Sequence, residues 1–281
     1  MSRLAEIISL IQHIPPFPKV AIRVLELLKD PDVEADQLAE IIQYDPSITA
    51  NVLKMCNAAY FGLPRKVSSL DEALVVLGNA TLKDIIIASS SAKFLRGQVG
   101  AGYKLEQGDM WKHSVAAGIM AKLLVRDIKG VDSGSAFTCG LLHDIGKRFM
   151  SSFVADDFEE IIRKVEKEQC SFVAAEKSYL GITHADLGGM ILEKWEFPQE
   201  QIEAVKHHHD PDALEQDDLT ALVALANGLV ITLGIGVGAD GLATELHGRG
   251  LERFGITPEG LQFAMADLFI EMEKAEDVIN L

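Results

Sequence analysis

The chain has 281 residues, 48% of them hydrophobic, a length that permits one large domain or two small ones around a sizeable core. Its 42 acidic and 26 basic residues give a formal net charge of −16, which argues against nucleic-acid and anionic-membrane partners, since both require clustered Lys and Arg. Three widely spaced cysteines form no CxxC motif, so we expect a cytoplasmic protein without disulfides.

No N-terminal targeting signal is evident, because the first apolar run contains Glu6 and no basic segment precedes a cleavage site. The stretch 221–239 carries no charged residue and is long enough to span a membrane. However, Asn227 lies within it and several glycines, beginning with Gly234, interrupt its second half. We therefore predict a buried core helix that ends near Gly234, and no membrane partner.

The first part of the chain predicts helices separated by Pro, Gly and capping residues. Asp45 is expected to cap a helix that starts at Pro46, Ser69 to open a capping box, and Gly78 to end that helix. The predicted helices cover residues 3–14, 19–29, 35–44, 47–60, 69–78 and 81–95. Gly97, Gly100 and Gly102 predict a flexible joint, so we divide the chain into subdomains 1–104 and 105–281.

The second part also reads as helices, with Thr183 as the expected N-cap of the helix that starts at His184. The other predicted helices cover residues 106–126, 135–150, 156–168, 173–180, 198–208, 219–233 and 258–274. Few segments alternate with a period of two, so strands should be scarce and the fold class is all-α.

Residues 236–241 match the GxGxxG pattern of dinucleotide-binding sites. That pattern requires a preceding strand within a βαβ unit, whereas the preceding segment here predicts a helix. We interpret the segment as a flexible loop.

His143 and Asp144 end an apolar run, and His113, His184, His208 and His209 lie in the same half of the chain. Neutral imidazoles and carboxylates are ligands for divalent metal ions, and adjacent histidines can share in a site with two ions. Each histidine taken alone also fits a buried polar side chain bonded to the backbone.

A continuous helix through this run would place His143 and Lys147 on one face, four residues apart. The Lys147 ammonium would then suit a phosphate oxygen or a metal-bound hydroxide. His208 and His209 would project about 100° apart on a helix and reach different positions around a pair of metals. We interpret His207 as a neighbour and not as a ligand.

Several ordered motifs resemble the HDOD family, the signalling branch of the HD phosphohydrolase superfamily. They are Trp111-Lys112-His113-Ser114, the run 140–147, Thr183-His184-Ala185-Asp186, Trp195-Glu196-Phe197-Pro198 and His208-His209-Asp210-Pro211, together with Pro15-Pro16-Phe17-Pro18 and Asp45-Pro46-Ser47 in the first subdomain. The resemblance implies an N-terminal helical subdomain, an HD-like helical domain, and a bacterial signalling role.

The resemblance also implies a metal site. Its ligands would be His113, His143, Asp144, His184, His208 and His209, with Lys147 beside a substrate phosphate. Mixed His and carboxylate ligands favour one or two ions of iron, manganese, nickel or zinc over calcium or magnesium.

Two departures from the HD pattern weaken the expectation of catalysis. Asn227 stands where the relatives place a final aspartate ligand, and a neutral amide is a weaker ligand. The GYP segment of cyclic-di-GMP hydrolases is absent, and Asp210-Pro211-Asp212 follows the histidine pair instead. We therefore do not expect a cyclic-di-GMP phosphodiesterase.

Two function classes remain open at this point. The first is a non-catalytic output or adaptor module that relays a state to a signalling protein, with a nucleotide or phosphate compound as a further candidate ligand. The second is a metal-dependent phosphohydrolase acting on a nucleotide or another phosphoester. For the first class, Phe17, Tyr60, Phe61 and Leu63 are candidates for an apolar groove between the subdomains, although such side chains are more often core.

Overall fold

The structure is a computed structural model that describes residues 3–30, 32–57, 66–97, 99, 101–128, 130–243 and 253–275. Within these ranges the regular structure is helical and no residue forms a strand, which confirms the all-α prediction. The helices are α1 Arg3–His13, α2 Lys19–Leu27, α3 Ala35–Ile42, α4 Pro46–Cys56, α5 Leu70–Leu95, α6 Asp109–Leu124, α7 Ser133–Leu142, α8 Ile145–Glu168, α9 Phe172–Leu180, α10 His184–Lys194, α11 Gln199–His207, α12 Pro211–Gln216, α13 Asp218–Thr232 and α14 Pro258–Lys274. Short 3₁₀ helices, each of three to five residues, cover Ala101–Tyr103, Val125–Asp127 and Ala239–Ala243.

The chain forms two compact units. One consists of Met1–Pro15 with Phe94–Phe269, and the other of Pro16–Lys93 with Ile270–Leu281. The predicted division of the chain into subdomains 1–104 and 105–281 stays a prediction.

In the second unit, local polar contacts fix the helix starts. The Asp45 carboxylate accepts hydrogen bonds from the backbone of Ser47 and Ile48, which caps α4 as predicted. Phe17 is buried, with 1% of its surface exposed, whereas Tyr60, Phe61 and Leu63 lie outside the described residues. The burial of Phe17 agrees with the simpler expectation of a core side chain.

Helix α5 is the one described helix long and apolar enough, by length and composition, to cross a membrane. The backbone at Gly78 is non-helical (φ 70°, ψ 164°), so a kink divides it where the sequence predicted a helix end. In its most apolar window, 56% of the residues are buried. The predicted core helix near 221–239 is α13, which ends at Thr232 before Gly234.

Glycines allow very close helix packing in the unit that contains the candidate ligands. A Cβ atom at Gly146 in α8 would lie 1.9 Å from the His184 carbonyl oxygen in α10. One at Gly140 in α7 would lie 2.6 Å from the Ala117 carbonyl oxygen in α6. Only a residue without a side chain fits at these contacts, and they hold the end of α7 against the middle of α6 and the start of α8 against the start of α10.

The prediction of one helix through residues 135–150 was wrong. Helix α7 ends at Leu142, His143 caps it, and Asp144 (φ −98°, ψ 7°) separates it from α8. No Gly or Pro stands at this break, so the apolar pattern runs through it unchanged. The predicted break between residues 150 and 156 is absent, since α8 continues to Glu168 without an interrupting residue.

Two glycines in segments predicted to be flexible are tightly packed, whereas Gly100, in the first of these segments, lies outside the described residues. A Cβ at Gly102 would lie 2.1 Å from the Ser151 carbonyl oxygen, so this glycine serves close packing and not a flexible joint. In the segment predicted as a flexible loop, a Cβ at Gly236 would lie 2.4 Å from the Asp109 carbonyl oxygen. This loop therefore packs against α6 and forms one wall of the site described next.

Candidate metal centre

Four histidine side chains surround the Asp144 carboxylate. His143 Nε2 lies 3.1 Å and His113 Nε2 3.7 Å from Oδ2, while His184 Nε2 lies 3.3 Å and His208 Nε2 3.8 Å from Oδ1. His113 comes from α6, His143 and Asp144 from the junction of α7 and α8, and His184 and His208 from the start of α10 and the end of α11. All five side chains are buried, so residues far apart in sequence meet in the core.

The other ring nitrogen of each histidine is held by an acceptor outside the cluster. The Nδ1 atoms of His113, His143 and His208 bond the carbonyl oxygens of Ile235, Gly140 and Val205, and that of His184 bonds Glu176 Oε2, all at 2.7–2.9 Å. Because these acceptors cannot donate, each Nδ1 carries a hydrogen, and in the neutral ring Nε2 presents its lone pair to the cluster. This is the tautomer that binds metal ions.

Four of the converging atoms are buried and have no hydrogen-bond partner among the described residues. They are the Nε2 atoms of His143, His184 and His208, and Oδ1 of Asp144. Leaving a buried polar atom unpaired costs about 1–3 kcal/mol, so four at one point need an explanation. A cation bound between them supplies the missing partner, and the donor set therefore fits a metal ion.

His209 extends the cluster. Its ring centroid lies 4.1 Å from that of His208 and 5.1 Å from that of His184. The candidate ligand atoms fall into two groups that share Asp144: one with His184, His208 and His209, and one with His113 and His143. His207 lies apart, since its ring nitrogens contact Glu203 and Asp210.

The predicted helical arrangement of His208 and His209 is not the observed one. Helix α11 ends at His207, and both histidines lie in the turn that follows. The turn, and not a 100° helical step, aims the two rings toward His184.

Glu176 is a site residue that the sequence reasoning missed. It is fully buried, and its Oε2 accepts hydrogen bonds from the backbone N–H and Nδ1 of His184 at 2.8 and 2.9 Å. The Tyr103 hydroxyl donates to the other carboxylate oxygen. Its local sequence gives no signal of burial, since it stands between Ala175 and Lys177 in α9, eight positions before His184.

The charges of the cluster follow from burial and neighbouring groups. Burial raises the pKa of Asp144, but His143 and Lys147 outweigh it and hold that pKa well below its usual range. Burial together with the neighbouring histidines holds the pKa of His208 and His209 well below the usual range, so both rings are neutral. For His184, burial lowers the pKa, but Glu176 and Asp144 raise it to about 9. A metal ion at this nitrogen would therefore displace a proton.

Lys147 forms a buried pair with two carboxylates. Its Nζ lies 2.6 Å from Asp144 Oδ2 and also donates to Asp240 Oδ2. Burial lowers the pKa of Lys147, but the two carboxylates outweigh it and raise that pKa above its usual value. Because Lys147 lies in α8 and His143 precedes it, the two do not share one helical face as predicted. Asp240, from the 3₁₀ helix Ala239–Ala243, is a second residue that the sequence reasoning missed.

Asn227 lies at the site, where the resemblance had placed it. It is 2% exposed on α13, and its Oδ1 is 3.1 Å from His113 Nε2. Because Nδ1 carries the His113 hydrogen, this contact is a hydrogen bond when the Asn227 amide is turned to present its NH₂ group to Nε2. In that orientation His113 Nε2 has a protein partner, in contrast to the Nε2 atoms of the other three buried histidines.

A cavity of about 450 Å³ adjoins the cluster, within the usual range for small-molecule sites. His209, Asn227 and Asp240 line it on the side of the cluster, and Lys177 and Lys206 contribute cationic groups elsewhere. The space beside His113, Asp144 and Lys147 is much smaller, about 10 Å³.

Comparison with known proteins places this arrangement in a family. The model of the HDOD domain matches residues 14–211, which is more than half of the chain. The chain belongs to the HDOD family. All six predicted metal ligands lie inside the matched HDOD region, whereas Asn227 and Asp240 lie beyond it.

Three relatives illustrate the similarity of this HDOD chain to known proteins. An uncharacterized protein of Treponema pallidum is 24% identical over 232 residues, covering 79% of this chain and 43% of that one. A ribonuclease Y of Thermus thermophilus is 25% identical over 197 residues, covering 70% and 28%. The crystal structure of an HDOD domain protein of unknown function from Geobacter sulfurreducens has a TM-score of 0.75 at 24% identity, covering 98% and 97%. The chain spans less than half of the length of these two sequence relatives.

Proposed function

We propose that this HDOD protein is a signal-transduction output or adaptor module whose His/Asp cluster binds a divalent transition metal and hydrolyses phosphoesters weakly or not at all. The observation that carries the metal-binding part is the set of four buried, unpartnered atoms at Asp144, His143, His184 and His208. The fixed Nδ1 hydrogens support it, because they make Nε2 the nitrogen that each ring presents to the cluster. At His184, whose pKa is raised to about 9, the ion would displace the proton on Nε2.

The donor types support iron, manganese, nickel or zinc over calcium and magnesium, since imidazole nitrogens outnumber the carboxylate oxygens. Such an ion, when bound, supplies a Lewis acid and lowers the pKa of a coordinated water. In this chain Asp144 and His184 would hold the ion, and Glu176 holds the His184 ring in place.

Three features support weak hydrolysis or none. Asn227 contributes a neutral amide where the HD relatives have a carboxylate, and Lys147 is paired with Asp144 and Asp240 and so is not directed at a ligand. The space beside Lys147, about 10 Å³, is far smaller than the adjoining cavity of about 450 Å³, so this arrangement leaves little room for a phosphoester group at Lys147.

An output role requires that a ligand or metal bind two arrangements of the protein with different affinity, so that its binding shifts their populations. The family supports a signalling protein as the partner that senses this shift. The cavity of about 450 Å³ beside His209 supports a nucleotide or phosphate compound as a second ligand. Lys206 is its candidate cationic group, whereas Lys177, which also lines the cavity, is paired with Asp186.

The alternative is a metal-dependent phosphohydrolase acting on a nucleotide or another phosphoester. The observation that favours it is the access from the large cavity to His209 and Asn227. The ribonuclease relative extends this alternative to RNA, but the net charge of −16 opposes tight binding of a polyanion.

Hydrolysis assays distinguish the two functions. Bis(p-nitrophenyl) phosphate, cyclic di-GMP and single-stranded RNA are incubated with the Mn²⁺-loaded protein, and the His143→Ala variant gives the background. We expect no turnover above that background. Metal-dependent turnover that disappears in His143→Ala would replace the proposal with the alternative.

A companion variant tests the reason given for weak activity. If only the missing carboxylate limits catalysis, Asn227→Asp should tighten metal binding and restore turnover. Unchanged metal affinity and turnover in Asn227→Asp would show that the missing carboxylate is not the only limit on catalysis.

A further inference from the structure

The two oxygens of Asp144 face two different groups of ligand atoms. Oδ1 faces His184 and His208, at 3.3 and 3.8 Å from their Nε2 atoms, and His209 belongs to the same group. Oδ2 faces His143 and His113, at 3.1 and 3.7 Å. We call these groups the Oδ1 site and the Oδ2 site.

The Oδ2 site already contains a cationic group of the protein. Lys147 Nζ lies 2.6 Å from Asp144 Oδ2, the same oxygen that a metal ion in this site would need. Lys147 is only 4% exposed, and Asp240 holds its ammonium from a separate part of the chain. The ammonium is therefore anchored by a second carboxylate that is outside both groups of ligands.

A second ligand atom of the Oδ2 site is also occupied. His113 Nε2 lies 3.1 Å from the Asn227 carboxamide, which leaves His143 as the histidine of this site with an unpartnered Nε2. In the Oδ1 site, by contrast, His184 Nε2, His208 Nε2 and Asp144 Oδ1 all lack a partner among the described residues.

The charges of the buried residues around Asp144 also favour one metal ion over two. With neutral imidazoles, the buried carboxylates of Asp144, Asp240 and Glu176 and the Lys147 ammonium together carry two net negative formal charges, which one divalent cation balances. A second divalent cation would add a large positive charge next to a buried ammonium, where water screens repulsion poorly.

We propose that this centre binds a single divalent cation, at the Oδ1 site, and that the Lys147–Asp240 pair takes the place of a second ion at the Oδ2 site. This stoichiometry presupposes the metal binding proposed above. It assigns Lys147 the role of a fixed internal cation, held by Asp240, and not that of a phosphate-binding side chain.

The test is the metal stoichiometry of the full chain. The protein is loaded with excess Mn²⁺, passed over a desalting column, and analysed by mass spectrometry of the elements and by electron paramagnetic resonance. We expect about one ion per chain and the spectrum of isolated Mn²⁺. Two ions per chain with an exchange-coupled spectrum would overturn the single-ion site but leave the metal-binding function intact. Absence of any retained ion would overturn both.

A double variant tests the cause. Asn227→Asp combined with Lys147→Met adds a carboxylate to the Oδ2 site and removes the ammonium, so the stoichiometry should rise to about two ions per chain. The matched control is Lys167→Met, at an exposed position of the same helix α8, which should stay at one. A folded double variant that still binds one ion would contradict the role given to Lys147 and Asn227. The wild-type stoichiometry decides the main point even if the double variant does not fold.

Discussion

Glu176 holds the His184 ring through one hydrogen bond to Nδ1 and holds the same residue's backbone through another. The Tyr103 hydroxyl in turn donates to Glu176, and all three side chains are fully buried. This chain of contacts directs His184 Nε2 at Asp144 before any ligand arrives. Pre-orientation of this kind raises metal affinity, because binding then orders fewer side chains.

The Glu176→Gln variant should bind metal about 10–100-fold more weakly, the usual effect of losing a residue that holds a metal-binding histidine. The neutral amide can keep the shape of the side chain but loses the charge-assisted bond to His184. Calorimetric titration with Mn²⁺ measures the change. Glu200→Gln, at an exposed position of α11, is the control and should match the wild type. Equal affinities in the two variants would show that Glu176 does not act through His184.

Some residues of the site could be predicted from the sequence, and others could not. The histidines and Asp144 could be identified because they are rare residue types in ordered motifs. Glu176 and Asp240 could not, since acidic residues are common in this chain and nothing local distinguishes a buried one from a solvated one. Their roles come from tertiary contacts eight and more than ninety residues away along the chain.

At the level of helices, the helix ends that a capping residue or a glycine marks in the sequence were predicted correctly. Asp45, Ser69 and Thr183 bond the first turns of their helices as expected, and Gly78 has the positive φ that ends a helix. The break at His143 and Asp144 was missed because the apolar pattern continues through it, although Asp144 is a residue type that commonly caps helices. It is stabilised instead by the bond from His143 Nδ1 to the Gly140 carbonyl and by the packing of α8 on α10.

The close approach of α8 and α10 gives a test at this scale. Gly146→Ala should lower the free energy of unfolding by at least about 2 kcal/mol, because its Cβ meets the His184 carbonyl oxygen and the helices must separate. Gly260→Ala is the matched control in α14, where a Cβ meets no atom closer than 3.4 Å, and it should be neutral or slightly stabilising. Urea unfolding measures both. Equal midpoints would mean that the tight contact is not needed for stability.

For the molecule as a whole, an output role requires that the metal centre influence residues outside the unit that contains it. Hydrogen exchange with Mn²⁺ and with EDTA should show slower exchange in α7, α8, α10 and α11 when metal is present, and a change in residues 15–57 and 66–78 as well. Protection confined to the helices with the histidines would leave the relay without support and would give the other unit a structural role only.

Metal content tests the central claim most directly, because a bound cation would give a partner to the buried atoms at Asp144 that have none among the described residues. The protein is produced in medium supplemented with iron, manganese, nickel and zinc, purified without chelator, and analysed for its elements alongside His207→Ala and His208→Ala. We predict about one transition-metal ion per chain in the wild type and in His207→Ala, and a large loss in His208→Ala. A wild-type content below about 0.1 ion per chain would contradict the account.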